Sequence, residues 1–473
     1  MSADLAGAGS FGRFVARAHR AGRLVVQPRM GMSTPPTMRA GLLATRDAAA
    51  TTVGTITLDS YTRTGDHASA RAAVAAGVEL NGYPIVTHDL ATTREVLAGI
   101  AGPDFPVQVR HGSPRPERIF QALIAAGLDA TEGGPVSYCL PYSRTPLDVS
   151  VRSWTRACRL LAGLREAGAE PHLESFGGCM MGQLCPPSLL VAISVLEGMY
   201  FRDRGLASIS LSYAQQTSPE QDREAVCALR RLAAERLPGV ATHIVIYAYM
   251  GLYPRTRAGA AGLLVEAARL AVRTGAARLI VKTVAEAHRI PSIADNVHAL
   301  ETAAAAATAA SVAAGPVPDT GLYAEARALV DAVVDLQPDL GRALLAAFRS
   351  GYLDVPYCLH PDNAGRARSY LDTDGWLRWS ELGNLPIGAL VRPTSSTRLT
   401  SAGLIASLSY VKRKFDNPSL EEQPVASAQA AGDAQREPKE LSRWSRPTSP
   451  ARPGIHCQPA RVSTSPHQSP DRC

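Results

Sequence analysis

Short β-branched runs recur along the first 290 residues, separated by segments with helical periodicity, and this alternation restricts the fold more than any other feature. The runs are Leu24–Gln27, Val53–Leu58, Pro84–Thr87, Val107–Arg110, His172–Phe176, Ser208–Ser212, His243–Tyr247 and Arg278–Lys282. Between them lie Ala/Leu/Arg-rich helical stretches such as Ser69–Leu80, Pro116–Ala126, Ser188–Arg204 and Arg257–Thr274. A strand-plus-helix unit of about 25–40 residues is what a right-handed crossover between parallel strands needs. Eight or so such units predict an α/β fold, a (β/α)8 TIM barrel over residues 1–320, with an open doubly wound sheet as the competing architecture.

Past residue 320 the rhythm changes. Tyr323–Phe348 reads as helical, and 351–390 is irregular and rich in aromatic and turn residues, so 321–416 is expected to form a C-terminal appendage packed on the barrel. From 417 to 473 the chain is polar and Pro/Ser-rich, the composition of a disordered tail. The net charge of +7 is not gathered into basic runs outside Lys412, Arg413 and Lys414, which argues against a nucleic-acid surface and for a site that receives anions. The eight cysteines form no C-x-x-C pair, so zinc is not expected and a reducing cytoplasm is. The first residues lack the order of a secretory signal. The Ala-rich stretch 303–314 is a plain helix former rather than a membrane span.

Three arginines stand at or just past predicted strand ends: Arg29, Arg63 and Arg110. In a parallel barrel the strand C-termini converge on one mouth, so these residues can share a pocket. Three guanidinium forks there suit a ligand with two carboxylates; the plainer alternative is that each arginine makes its own structural ion pair. The stretch Thr131-Glu132-Gly133-Gly134-Pro135 reads as a tight loop in which backbone can approach a ligand, followed by the hydroxyls of Tyr138 and Tyr142. Glu132 would meet an ammonium, or merely neutralise an arginine. Three Arg with one Glu sum to +2, the complement of an acidic amino acid of net charge −1.

Several of these strings occur together and in order. They are Gln27-Pro-Arg29-x-Gly31, Ser60-Tyr-Thr-Arg63, Asn81-Gly-Tyr-Pro84, Val109-Arg110-His111-Gly112 and Glu132-Gly-Gly-Pro-x-Ser137-Tyr138-x-x-Pro141-Tyr142. Lys282-Thr-Val-Ala-Glu286-Ala-His-Arg-Ile290-Pro and Gly383-Asn-Leu-Pro386 follow. Over roughly residues 10–390 the chain resembles the epsilon subunits of coenzyme B12-dependent glutamate mutase. The resemblance implies a radical carbon-skeleton isomerisation of L-glutamate to threo-3-methylaspartate with adenosylcobalamin. It puts substrate carboxylates on Arg29, Arg63 and Arg110, with His111 behind the last. It puts the ammonium on Glu132, which is also the implied proton acceptor, and further substrate contacts on Tyr138 and Tyr142. It gives cofactor contacts to Gly31, Asn81, Pro141, Tyr253, Lys282, Glu286 and Ile290, although Lys282 and Glu286 taken alone could be an i,i+4 surface salt bridge.

None of the eleven histidines has an Asp two positions before it, so the cobalt-ligating Asp-x-His-x-x-Gly motif is absent. The resemblance implies that this ligand comes from a small sigma subunit, in a heterotetramer of two copies of each chain. Departures from the family pattern are the short stretch before Arg29, the Ser175–Pro187 segment, and the residues Cys139 and Tyr253. A mutase for another dicarboxylic amino acid, and a non-catalytic acidic-amino-acid-binding barrel, are the alternative functions.

Overall fold

The computed structural model describes residues 11–180, 184–311, 315–317, 319–393 and 400–417. Eight parallel strands form one sheet: β1 (Val25–Gln27), β2 (Gly54–Thr57), β3 (Val107–Arg110), β4 (Ala130–Gly133), β5 (His172–Ser175), β6 (Ser208–Ala214), β7 (Ala241–Tyr247) and β8 (Arg278–Ile280). Their order is β1-β8-β7-β6-β5-β4-β3-β2, and a parallel bridge from Val26 to Thr52 returns β1 to the entry of β2. The sheet is thus a (β/α)8 barrel.

Several helices start where the sequence supplies an acceptor for their free N–H groups. Asp59, Asp89, Ser218 and Thr256 cap their helices through the side chain. Ser292 and Asp295 form a reciprocal capping box ahead of the Ala-rich helix Ile293–Ala309. Helix Pro187–Arg202 is buried on nearly every face, which its apolar sequence requires. Its barrel side lies on β5 and β6, and its outer side is covered by helices Leu322–Val334 and Leu340–Ser350.

The axis of the barrel is polar. Gln27, Gln108, His172, Glu174, Ser210 and Arg278 are buried and linked. Arg278 bonds Glu174 and Gln27, while Gln27 Nε2 donates to Gln108 at 2.8 Å and to Thr55 at 2.9 Å. The first helix, Phe11–Arg20, closes the lower end: the Phe11 ring stacks on His172 at 5.1 Å and lies 4.9 Å from the Arg278 guanidinium. A buried charge requires such partners, and each charge here has them.

Two expected strands change. Pro84–Thr87 is a turn, closed by Thr87 N–H on the Pro84 carbonyl at 2.8 Å. Proline has no N–H for a ladder, and only Tyr83 bridges to Leu58. The missing strand is β4, so Thr131 and Glu132 lie on a strand and not in a loop. The region Tyr323–Phe348 is two helices, broken by Pro338 with Asp339 capping the second. The irregular region holds a hairpin of β9 (Arg368–Leu371) and β10 (Leu377–Glu381). Among the described residues no helix is long and apolar enough to cross a membrane. Residues 418–473, nearly all of the expected tail, lie outside the described residues.

Candidate active site

Because parallel strands end on one side, Arg110 closes β3, Glu132 lies next to the end of β4 and Tyr247 closes β7, all at the same mouth. Arg110 Nε donates to Glu132 Oε2 at 2.7 Å, with both side chains buried. The Tyr247 hydroxyl lies 2.6 Å from the same carboxylate oxygen, and Tyr138 donates to the other one. Glu132 therefore occupies the Nε side of the guanidinium. Its Nη2 donates to the Tyr247 hydroxyl at 3.3 Å. Tyr247 also bonds Glu174, which bonds Arg278, so the mouth is continuous with the polar axis beneath it.

Arg29 follows β1 by two residues, and Arg63 sits on the one-turn helix Ser60–Thr64 rather than directly at the end of β2. Among the described residues neither forms an ion pair, and the Arg29 Nε is buried without a hydrogen-bond partner. Arg29 is within electrostatic reach of Tyr142 on one side and of Tyr253 and Lys282 on the other. Arg63 and Arg110 both act on His111. Burial first, and then these two cations, hold the His111 imidazole down at about 3, so it is neutral. Its Nδ1 accepts the Ser113 N–H at 3.0 Å, and its Nε2 is buried without a partner. The ring stacks on Trp154 at 5.7 Å.

The double glycine has a different use from the one its sequence suggests. An added Cβ at Gly134 would fall within the carboxylate of Glu197, which reaches in from helix Pro187–Arg202. Glu197 accepts from Val136 N (3.1 Å), Ser137 N (2.9 Å), Ser137 Oγ (2.9 Å) and Ser175 Oγ (3.1 Å). Gly134 leaves room for protein, and the fixed turn that results presents Tyr138, Pro141 and Tyr142. Tyr138 is buried against Phe176 at 5.0 Å, whereas Tyr142 stands at the surface of the mouth.

A second group lies beyond β7 and β8. Lys282 Nζ is 3.6 Å from Glu286 and 4.9 Å from the centre of the Tyr253 ring. Lys282 is buried, not on the surface, and burial pushes its ammonium down to about 8 despite Glu286. The Tyr253 hydroxyl is buried without a partner. Ile290 is exposed on the rim. Gly31 and Asn81 are tied to neighbouring backbone: a Cβ at Gly31 would meet the Thr57 carbonyl group, and Asn81 Oδ1 accepts the Ser60 N–H at 2.9 Å. Among the described residues no cluster of three potential metal ligands exists.

The residues the sequence did not single out are Tyr247, Glu174, Arg278 and Glu197. Tyr247 ends a strand that the alternation does predict, and Glu174 and Arg278 are charged residues inside predicted strands, which is itself a signal. Glu197 had none, since one glutamate in a long helix usually faces water.

Comparison with known proteins decides the family. Residues 5–406 match the family model for the methylaspartate mutase E chain. This chain belongs to that family. The glutamate mutase epsilon subunit of Escherichia coli O157:H7 is 31% identical over 349 residues, 70% of this chain and 72% of that one. The epsilon subunit of Halobacterium salinarum is 33% identical over 340 residues, 69% of this chain and 71% of its own. A solved structure of a putative phosphonomutase from Burkholderia cenocepacia overlaps with a TM-score of 0.32 at 15% identity, covering 57% of this chain and 91% of its own, too slight a likeness to bear on function. Membership of the methylaspartate mutase family makes an isomerase of the mutase type the activity class to be explained.

Proposed function

We infer that this chain is the substrate-binding subunit of an adenosylcobalamin-dependent glutamate mutase, interconverting L-glutamate and threo-3-methylaspartate. One observation carries the reading: among the described residues Arg29 and Arg63 stand at the mouth without anionic partners, while Glu132 and Tyr247 hold Arg110 in place. A dicarboxylate has two anchors awaiting it and a third already oriented, and its ammonium has Glu132. His111 Nε2 offers a further neutral hydrogen bond. Tyr138 and Phe176 wall the site and keep water from it. When the carbon skeleton fragments, separate anchors on the two carboxylates keep both pieces in one cage. Glu132 holds a proton of the substrate ammonium within reach, and its own position is fixed by Tyr138 and Tyr247.

The buried, unpartnered Tyr253 hydroxyl and the buried Lys282 paired with Glu286 fit an adenosyl group, with Gly31, Asn81, Pro141 and Ile290 around it. Bound adenosylcobalamin supplies homolytic hydrogen-atom abstraction, which no side chain here can perform. The cobalt-ligating histidine would come from a sigma subunit bearing Asp-x-His-x-x-Gly, in a two-plus-two assembly. The test is reconstitution of the purified chain with such a subunit and adenosylcobalamin. Methylaspartate should form from glutamate only when all components are present. Turnover by the chain alone, or a base-off cobalamin spectrum with one of its own histidines as ligand, would sink the assignment.

Lys282 gives a second test. Its folded-state pKa of about 8 lies below the unfolded value of roughly 10.4, so the unfolded chain holds the proton more firmly between those limits. Stability of the native sequence should therefore rise from pH 8 to 10. Lys282→Met should stabilise at pH 7 by about 1–3 kcal/mol and remove that rise, while weakening adenosylcobalamin binding. Denaturant midpoints across pH, beside cofactor titrations, measure both; a destabilised variant with normal cofactor affinity would contradict the role.

A further inference from the structure

The helix Tyr410–Asp416 is distant in sequence from every residue of the mouth, yet it is fastened to the wall that carries Tyr253 and Lys282. Asp416 Oδ1 accepts the Thr256 N–H at 2.8 Å and the Thr256 hydroxyl at 2.8 Å, and Oδ2 accepts the Arg255 N–H at 3.0 Å. These donors open the helix Arg257–Thr274, so a carboxylate lies on the positive end of an 18-residue helix. The approach is close enough that a Cβ at Gly259 would lie 2.5 Å from the Phe415 carbonyl oxygen. Val411 is buried in one apolar cluster with Tyr253. From the same two residues the connection continues: His288 Nε2 donates to the Arg255 carbonyl at 2.9 Å, and His288 belongs to the loop that holds Lys282 and Glu286.

We propose that Asp416 is a positioning residue: by holding Arg255 and Thr256 it fixes, together, the loop bearing Tyr253 and the loop bearing Lys282 and Glu286, and so shapes the site for the adenosyl group. This rests on the reading of that wall as the cofactor side. In this role Asp416 acts without touching substrate or cofactor. Its carboxylate acts through two backbone N–H groups and one hydroxyl that would otherwise need other partners. The end of the appendage is then part of the site's architecture and not an accessory to it.

The experiment compares Asp416→Ala and Asp416→Asn with the native full-length chain by backbone hydrogen exchange and by adenosylcobalamin titration in the presence of the sigma subunit. In Asp416→Ala, peptides covering 249–258 and 283–290 should exchange roughly tenfold faster, while those of β3 to β5 stay unchanged. Asp416→Asn, which keeps one acceptor oxygen, should lie between. The cofactor dissociation constant should rise roughly tenfold with the KM for glutamate unaltered. Unchanged exchange in the two loops overturns the proposal, as does faster exchange spread evenly over the barrel, which would make Asp416 a general structural contact. Faster loop exchange with unchanged cofactor affinity overturns the link to the cofactor. Failure of the native chain to bind adenosylcobalamin with its partner would instead refute the functional reading, and the exchange result would still decide whether Asp416 holds the loops.

Discussion

Arg110→Lys is expected to lower kcat/KM for glutamate by roughly 10–150-fold, the cost of about 1.5–3 kcal/mol for a lost charge-assisted hydrogen bond. The geometry explains why charge alone does not suffice. Arg110 serves two partners with separate nitrogens, Nε to Glu132 at 2.7 Å and Nη2 to the Tyr247 hydroxyl at 3.3 Å. A lysine has one nitrogen on a flexible stem and must abandon one of them. If it stays with Glu132, a substrate carboxylate loses its fork; if it turns outward, Glu132 is left to Tyr138 and Tyr247. Either way the carboxylate that orients the reacting carbons is held less well, so kcat should fall and not KM alone. Because both partners are buried, the melting temperature should also drop by a few degrees. The kinetic loss must be measured on protein still folded at the assay temperature. A folded Arg110→Lys variant with native turnover would reduce this arginine to a structural ion pair.

Glu197→Ala should be the most destabilising of the substitutions considered, by about 3–5 kcal/mol. It would strand two backbone N–H groups and two serine hydroxyls in a dry interior and leave a void opposite Gly134. Glu197→Gln keeps the shape and most of the bonds, and differs chiefly in pH dependence. Burial raises the Glu197 carboxyl to about 7, above its unfolded value near 4.3. A raised folded-state pKa gives stability that is complete at low pH and is lost as pH rises through 7. The glutamine variant should lack that loss. Denaturant midpoints between pH 5 and 8 test it, and parallel curves for native and Gln variants would mean that Glu197 does not titrate in this range.

The barrel could be read from the sequence because its period is local: β-branched runs and helical stretches announce themselves within a dozen residues. The errors fell where one element type wears the composition of another. Ala130–Gly133 carries the glycine and acidic residue of a loop yet pairs with β3 and β5, and Pro84–Thr87 looks extended but begins with a residue that cannot donate to a ladder. The arginine positions could be read from strand ends. Their unequal state could not, since the pairing of Arg110 with Glu132 and the freedom of Arg29 depend on contacts across the sheet. Tyr247 stands 115 residues from Glu132, and no spacing rule joins them. Glu197 was hidden because its meaning lies in the absence of a side chain at Gly134.

The polar axis has a consequence for how the mouth responds to its surroundings. Arg278 and Glu174 are fully enclosed, and Arg110 and Glu132 are nearly so. Dissolved ions screen charges they can surround, over about 8–10 Å at physiological ionic strength, and they cannot surround these. The contribution of these four groups to the field at the mouth is therefore set from inside the barrel, by strands on opposite walls, whereas the partly exposed Arg29 and Arg63 remain open to screening. For the proposed anionic substrate, salt should weaken the pull toward the opening but have little hold on the orientation imposed by the enclosed groups.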